Sequence, residues 1–196
     1  MNELNNSNTP LSDFIEIYKE VIPKHTCDDI IVETESHSWL KHTWYDLTKN
    51  SFESEENNEL DVLEATEDVY KKLYIFIEES VKDYNKKYSY SSKKTTTIVN
   101  KLSSIRLNRY SVNQMMHQHH DHIHALFDGK EKGIPVLSIV CNLNDNYTGG
   151  ELYFWKNYFT DLNQGDIVIF PSNFMYPHGV KKITDGVRYS AVAWAW

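Results

Sequence analysis

The sequence predicts a mainly β protein with flanking helices, in which a sandwich or barrel packs against N-terminal α-helices. Three observations point there. One apolar stripe at helical spacing dominates the first half. Short β-branched and aromatic runs fill the second half. Turn-forming pairs separate those runs.

In chain order, residues 1–8 are polar and carry no periodicity. Thr9-Pro10 fits a helix start, since proline at the first helical position loses no hydrogen bond. Leu11, Phe14, Ile15, Tyr18 and Ile22 then predict an amphipathic helix. Thr26 with Asp29 predicts the cap of a second, short helix carrying Ile30 and Ile31. Residues 34–60 end in the acidic run Glu53 to Glu59 and read mostly as loop. Leu60 to Tyr88 is the strongest helical segment: Val62, Ala65, Val69, Leu73, Phe76, Ile77, Val81 and Tyr84 recur every three or four residues, the signature of one buried face. Strands are expected at Thr95–Val99, Leu102–Tyr110, Val136–Leu143, Glu151–Trp155, Asp166–Phe170 and Val187–Trp196. Asp128-Gly129, Gly149-Gly150, Gln164-Gly165, Pro171-Ser172 and Asp185-Gly186 mark the turns. At 196 residues the chain fits one domain, residues 1–94 forming a helical support and 95–196 the β core.

Composition excludes several classes. A formal charge of -8, from 28 acidic and 20 basic side chains, argues against non-specific nucleic-acid binding, which needs Lys and Arg at phosphates. No run of about 18 apolar residues exists to span a membrane, and the polar Met1 to Pro10 lacks the apolar stretch of a signal peptide. The two cysteines, Cys27 and Cys141, do not make a disulfide framework and imply a reducing, cytoplasmic setting.

Five of the nine histidines fall in His117-Gln118-His119-His120-Asp121-His122-Ile123-His124. In an extended segment, residues two apart share a face, so His119 and Asp121 would project together. One more histidine from a distant strand would complete two imidazoles and a carboxylate. That set suits Fe(II) and leaves an open face of the metal for other ligands. The cluster alone is ambiguous. The pairs His117/His119, His120/His122 and His122/His124 have the same spacing, as a cupin-type site would use, and a surface run of histidines needs no metal at all. His178 is the candidate third ligand. Ten residues on stands Arg188, which a hairpin would bring back toward the metal. Its guanidinium binds a carboxylate through two parallel N–H bonds, a geometry lysine cannot copy. Ser190 lies on the same strand face and adds a hydroxyl.

Over residues 102–196 the sequence resembles the prolyl 4-hydroxylase-like branch of the Fe(II)/2-oxoglutarate-dependent dioxygenases. Four blocks carry the resemblance in order and spacing. Arg109-Tyr110 stands before His119-x-Asp121. Asn142-Leu143-Asn144-Asp145 is followed by Gly149-Gly150-Glu151-Leu152. Gly165-Asp166-Ile167-Val168-Ile169-Phe170 leads to His178, and then come Arg188 and Trp194. The ending from Pro171 to Trp196 is similar to oxygenases of phage genomes.

The resemblance implies a double-stranded β-helix (jelly roll) with Fe(II) held by His119, Asp121 and His178. It implies 2-oxoglutarate as cosubstrate, with Arg188 on its distal carboxylate, Tyr110 hydrogen-bonding it near the metal and Trp194 walling the pocket. O2 would be consumed, ascorbate would serve as reductant, and a C–H bond would be hydroxylated with release of succinate and CO2. Asp121 favours hydroxylation, since branches that halogenate lack this carboxylate. Many prolyl hydroxylases carry a tyrosine where this chain has Asn142, which offers an amide donor to the cosubstrate instead. The remaining histidines match no family ligand and are expected at the rim or surface. Residues 124–135 read as a mobile loop, of a kind that in this family often closes over substrate.

Three functions follow. The first is hydroxylation of a peptidyl proline, and the second is the same chemistry on a free amino acid or other small molecule. The third is a cupin-like metal-binding protein that is not an oxygenase. Arg188 separates the third from the others, because a cupin site needs no carboxylate clamp.

Overall fold

The computed structural model describes residues 9–46, 51–53, 59–89, 97–121 and 133–196. The side chains of 44–46 and 51–53 are outside the description, as are His122, His124 and most of the expected loop at 124–135. A 3-10 turn at Leu11–Phe14 is followed by strand β1 (Glu16–Tyr18) and helix α1 (Lys24–Glu35). Strands β2 (Leu40–Lys41), β3 (Trp44–Asp46), β4 (Ser51–Glu53) and β5 (Asp61–Glu64) precede helix α2 (Glu67–Tyr88). Then come β6 (Arg106–Tyr110), β7 (Met116–His119), β8 (Leu137–Asn142), β9 (Thr148–Gly149) and β10 (Leu152–Phe154). The chain continues through β11 (Tyr158–Phe159), β12 (Ile167–Pro171), β13 (His178–Val180), β14 (Ile183–Asp185) and β15 (Arg188–Ala195).

The strands pair antiparallel. A seven-stranded sheet has the order β1-β12-β8-β15-β6-β5-β2, and a four-stranded sheet the order β11-β10-β13-β7. β9 pairs with β14, and β3 with β4. This is the mainly β, jelly-roll architecture with flanking helices that the sequence predicts.

Strand alternation divides the buried side chains into two cores. Ile167 and Ile169 of β12, Ile139 and Cys141 of β8, and Ala191, Ala193 and Ala195 of β15 face the helices. There they join Leu73, Ile77, Val81 and Tyr84 of α2 and Cys27 and Ile30 of α1. Val168 and Phe170, Val140 and Val192 face the other way, onto Leu152, Phe154 and Val180 of the smaller sheet. Burying each large aliphatic side chain stabilises the fold by about 1.5–3 kcal/mol. The three alanines on β15 are small, so the helical layer sits close on one face. The other face keeps Arg188, Ser190, Val192 and Trp194 for a cavity.

Five expectations are corrected. Thr9 to Ile22 does not form a helix: after the 3-10 turn, Glu16–Tyr18 pairs with β12 at the sheet edge. Ile15 and Ile17, two apart, go to the inner core while Tyr18 and Ile22 go to the helical one. α1 exists but begins at Lys24 after Pro23, whose carbonyl accepts from the amides of Thr26 and Cys27, so Thr26 lies inside it. α2 begins at Glu67 rather than near Leu60. Thr66 accepts from the Val69 amide at 3.2 Å, an N-cap that satisfies an otherwise unpaired donor, and Asp61–Glu64 takes its hydrogen bonds from β6. Residues 34–60 hold β2, β3 and β4 rather than mostly loop. The first half thus supports the core with strands as well as helices. Residues 97–99 of the strand expected at Thr95–Val99 are not in a strand, and Thr95 and Thr96 are outside the description.

Candidate active site

Antiparallel pairing of β7 with β13 sets His119 directly opposite His178, with ring centroids 4.5 Å apart. Asp121 follows two residues after the end of β7. Its Oδ1 lies 3.5 Å from His119 Nε2, and its Oδ2 3.7 Å from His178 Nε2. One ligand atom from each residue falls within 4.8 Å of the others, a spacing that can hold a metal ion.

The tautomers suit that use. His119 Nδ1 is 2.8 Å from the His117 carbonyl and His178 Nδ1 is 3.0 Å from the Tyr176 carbonyl. An N–H on each Nδ1 donates to that carbonyl, which leaves each Nε2 lone pair directed at the shared centre. Burial pushes the His178 pKa down to about 4, opposed by the Asp121 charge. The imidazole is therefore neutral, as a ligand must be. Burial opposes ionisation of Asp121, but the adjacent imidazoles, His119 foremost, and the Ser138 hydroxyl outweigh it. They hold the carboxyl well below the usual carboxylate range.

One cavity joins this trio to β6 and β15 and is lined by Tyr110, Met116, Leu152, Arg188, Ser190 and Trp194 among others. Arg188 stands opposite Tyr110 in the β15–β6 register, its guanidinium carbon 5.3 Å from the ring centroid. It is 1% exposed. Its Nη1 donates to Ser190 Oγ at 3.0 Å, but Nε and Nη2 are buried with no hydrogen-bond partner. A buried, half-unpaired cation is costly, and a carboxylate in the cavity would satisfy both nitrogens. The donor set therefore fits a divalent metal beside a bound carboxylate.

Most of the expected site residues converge. Tyr110, Arg188, Ser190 and Trp194 share the cavity with the trio. Asn142 does not line it. It sits opposite Ser190 in the β8–β15 register, but its Nδ2 donates to the Asn144 carbonyl at 2.7 Å and its Oδ1 accepts from the Tyr147 hydroxyl at 3.2 Å. His117 and His120 are exposed. Arg109 points away from Tyr110's face and pairs with Glu35 and Asp61.

Ser138 and Arg106 escaped the sequence reading. The Ser138 hydroxyl donates to Asp121 Oδ2 at 2.6 Å and lies 2.7 Å from Ser172 Oγ. Its signal was a single hydroxyl in the apolar run Leu137–Cys141, where a polar group needs a partner. Arg106 lines the same cavity, its guanidinium carbon 5.3 Å from the Trp194 ring.

The family profile of the 2OG-Fe(II) oxygenase superfamily matches residues 105–196, the stretch that supplies the trio, Tyr110 and Arg188. No curated protein matches the chain at the sequence level. Solved structures do. A viral collagen prolyl hydroxylase from Paramecium bursaria Chlorella virus-1, in a 2-oxoglutarate complex, is 14% identical with a TM-score of 0.64, covering 93% of this chain and 94% of that one. A prolyl hydroxylase from Trichoplax adhaerens, in complex with a hypoxia-inducible-factor peptide, is 14% identical with a TM-score of 0.69, covering 94% and 84%. A Pseudomonas putida prolyl-4-hydroxylase is 14% identical with a TM-score of 0.62, covering 93% and 91%. The family depends on Fe(II), 2-oxoglutarate and O2. Residues 105–196 thus carry the profile of the 2OG-Fe(II) oxygenase superfamily, on a fold that this chain shares with prolyl hydroxylases.

Proposed function

We propose that the protein hydroxylates an unactivated C–H bond of a peptidyl proline, with His119, Asp121 and His178 as the iron ligands. The observation that carries the reading is Arg188, a buried guanidinium with two unpaired N–H groups in the cavity that holds the trio. Such a group calls for a diacid reaching from the metal to the strand. Iron(II) with 2-oxoglutarate and O2 supplies the oxidising power, releasing succinate and CO2. The chain's own residues bind and orient. The Nε2 atoms and the Asp121 carboxylate would hold the metal, a donor set that suits Fe(II). Arg188 and Ser190 anchor the distal carboxylate through charge-assisted bonds. Tyr110, 2% exposed, lines the same cavity and would offer its hydroxyl to the cosubstrate, and Leu152, Val192 and Trp194 would exclude water from the reacting end.

Proline as substrate is supported by the shared fold with prolyl hydroxylases, one of them solved with a peptide. A free amino acid or other small molecule is the second reading. Described residues contain no helix long and apolar enough to cross a membrane. The two buried free thiols favour a reducing, cytoplasmic setting.

Anaerobic addition of 2-oxoglutarate to the Fe(II)-loaded protein is expected to give the weak visible band of keto-acid chelation. Aerobic incubation with proline peptides is expected to give succinate and a hydroxylated product. Asp121→Ala should remove both signals while the fold, read by circular dichroism, survives. Full turnover in that variant would overturn the ligand assignment, and a peptide panel that never stimulates succinate release would overturn the proline reading.

A further inference from the structure

The cavity holds a second guanidinium that cosubstrate binding does not use. Arg106 and Tyr110 are the two ends of β6, four residues apart and on one face, so their backbones stand about 13 Å apart at 3.3 Å per residue. Tyr110 faces Arg188 at one end of the cavity. Arg106 faces Val192 at the other, beside Trp194 and within electrostatic reach of His119 and Asp121. Ser138, which holds Asp121, pairs with Trp194 one step beyond the Val192–Arg106 rung, so Arg106 stands beside the trio while Arg188 stands at the far end of the cavity.

Arg106 is also under-partnered. Its Nε donates to Asn108 Oδ1 at 3.1 Å, which fixes the plane of the group. Its two terminal nitrogens make no hydrogen bond or ion pair among the described residues. Its neighbour Arg109 pairs with both Glu35 and Asp61. Glu64 stands across the strand from Arg106 but forms no ion pair with it. Burial draws Arg106 below the ordinary guanidinium value, with only partial relief from Tyr110, Asp121 and Glu64. A fixed guanidinium with a vacant two-nitrogen edge, stacked on an aromatic ring, is built to take a planar carboxylate.

We infer that Arg106 recognises a carboxylate of the substrate, so that the enzyme prefers substrates bearing an acidic group close to the hydroxylated carbon. This rests on the oxygenase reading above. The carboxylate has two sources: an Asp or Glu side chain beside the target residue of a peptide, or the α-carboxylate of a free amino acid.

The test uses matched pairs: proline peptides with Glu or Gln beside the proline and amidated termini, and free amino acids, L-proline included, against their amides. Succinate release is measured with Fe(II) and saturating 2-oxoglutarate, and binding by calorimetry to the protein loaded with Zn(II) and 2-oxoglutarate. The acidic member of one pair set is expected to bind and stimulate at least tenfold better than its amide. The set that responds names the source. Arg106→Met keeps the packing on Trp194 without the charge and should erase the preference in both readouts. Arg106→Lys should restore part of it, and the 2-oxoglutarate KM should move less than threefold in either variant. A merely structural Arg106 would not make acid and amide differ. Equal response to acid and amide, no response to any acidic member, or a preference that persists in Arg106→Met overturns the inference. Failure of the wild-type protein to bind or turn over 2-oxoglutarate at all would instead overturn the oxygenase reading.

Discussion

Ser138 donates its hydroxyl hydrogen to Asp121 Oδ2 across 2.6 Å, and Ser172 lies 2.7 Å behind it. The proton of Ser138 is thereby committed to the carboxylate, while Ser172 can donate into the Ser138 lone pair. The carboxylate orientation that a metal would meet is set by β8 and the segment after β12, not by the short stretch that carries Asp121.

Ser138→Ala should therefore weaken Fe(II) binding by roughly 10–100-fold, the usual cost of removing a partner behind a metal ligand. Competition with a chromogenic chelator measures this. An unchanged affinity would mean that the β7 end alone orients Asp121.

Arg188→Met should raise the KM for 2-oxoglutarate by roughly 10–150-fold, equivalent to about 1.5–3 kcal/mol for a lost bond to a charged group. The affinity for iron should hardly move. Because the variant removes a buried, half-unpaired cation, its melting temperature without 2-oxoglutarate should equal or exceed that of wild type. The rise in melting temperature that 2-oxoglutarate gives the wild type should vanish. A variant that keeps that rise would place the cosubstrate elsewhere.

Gly150 has φ +70°, and a Cβ there would meet Ile183 Cδ1 at 2.3 Å and Arg188 Cδ at 3.1 Å. Gly150→Ala should lower stability by at least about 1 kcal/mol from left-handed backbone strain alone. It should also raise the 2-oxoglutarate KM by displacing the Arg188 stem. Urea unfolding and steady-state kinetics separate the two effects; lost stability with an unchanged KM would show that Ile183 alone gives way.

The thiols give a pH signature. Burial, with Asp28 adding to it, pushes Cys27 from 9.0 up to about 12, and burial pushes Cys141 up as well. A folded pKa above the unfolded one means that the native state holds its proton longer. This contribution is fully present below about pH 9 and declines as pH rises toward 12. Wild-type stability should fall more steeply over that window than that of Cys27→Ala, followed by urea midpoints. Iodoacetamide at pH 8 should leave both thiols unmodified until the protein unfolds.

The strands of the second half were legible because their two faces differ: Ile-Val-Ile-Phe at 167–170 and the Ala-Val-Ala of β15 each feed two cores. β1 and β5 were not, since what makes them strands is hydrogen bonding to β12 and β6 rather than any local pattern. The helical periodicity through Val62 and Ala65 continued past the true start of α2 for the same reason. In the site, His119, Asp121, His178 and Arg188 stood out through spacing and residue type. Ser138 and Arg106 did not, because their roles arise from register: Ser138 is set across from Trp194, and Arg106 across from Val192. Asn142 shows the opposite error. Its position in the strand block was read well, but its side chain is turned to the Asn144 carbonyl and the Tyr147 hydroxyl and lies outside the cavity lining.

β15 lies between β8 and β6 and carries four cavity residues, from Arg188 to Trp194. Its two neighbours meet only through it, so the larger sheet is continuous only while β15 is in place. A single displaced rung would therefore be felt twice, at the guanidinium on one flank and at the serine behind the acidic ligand on the other.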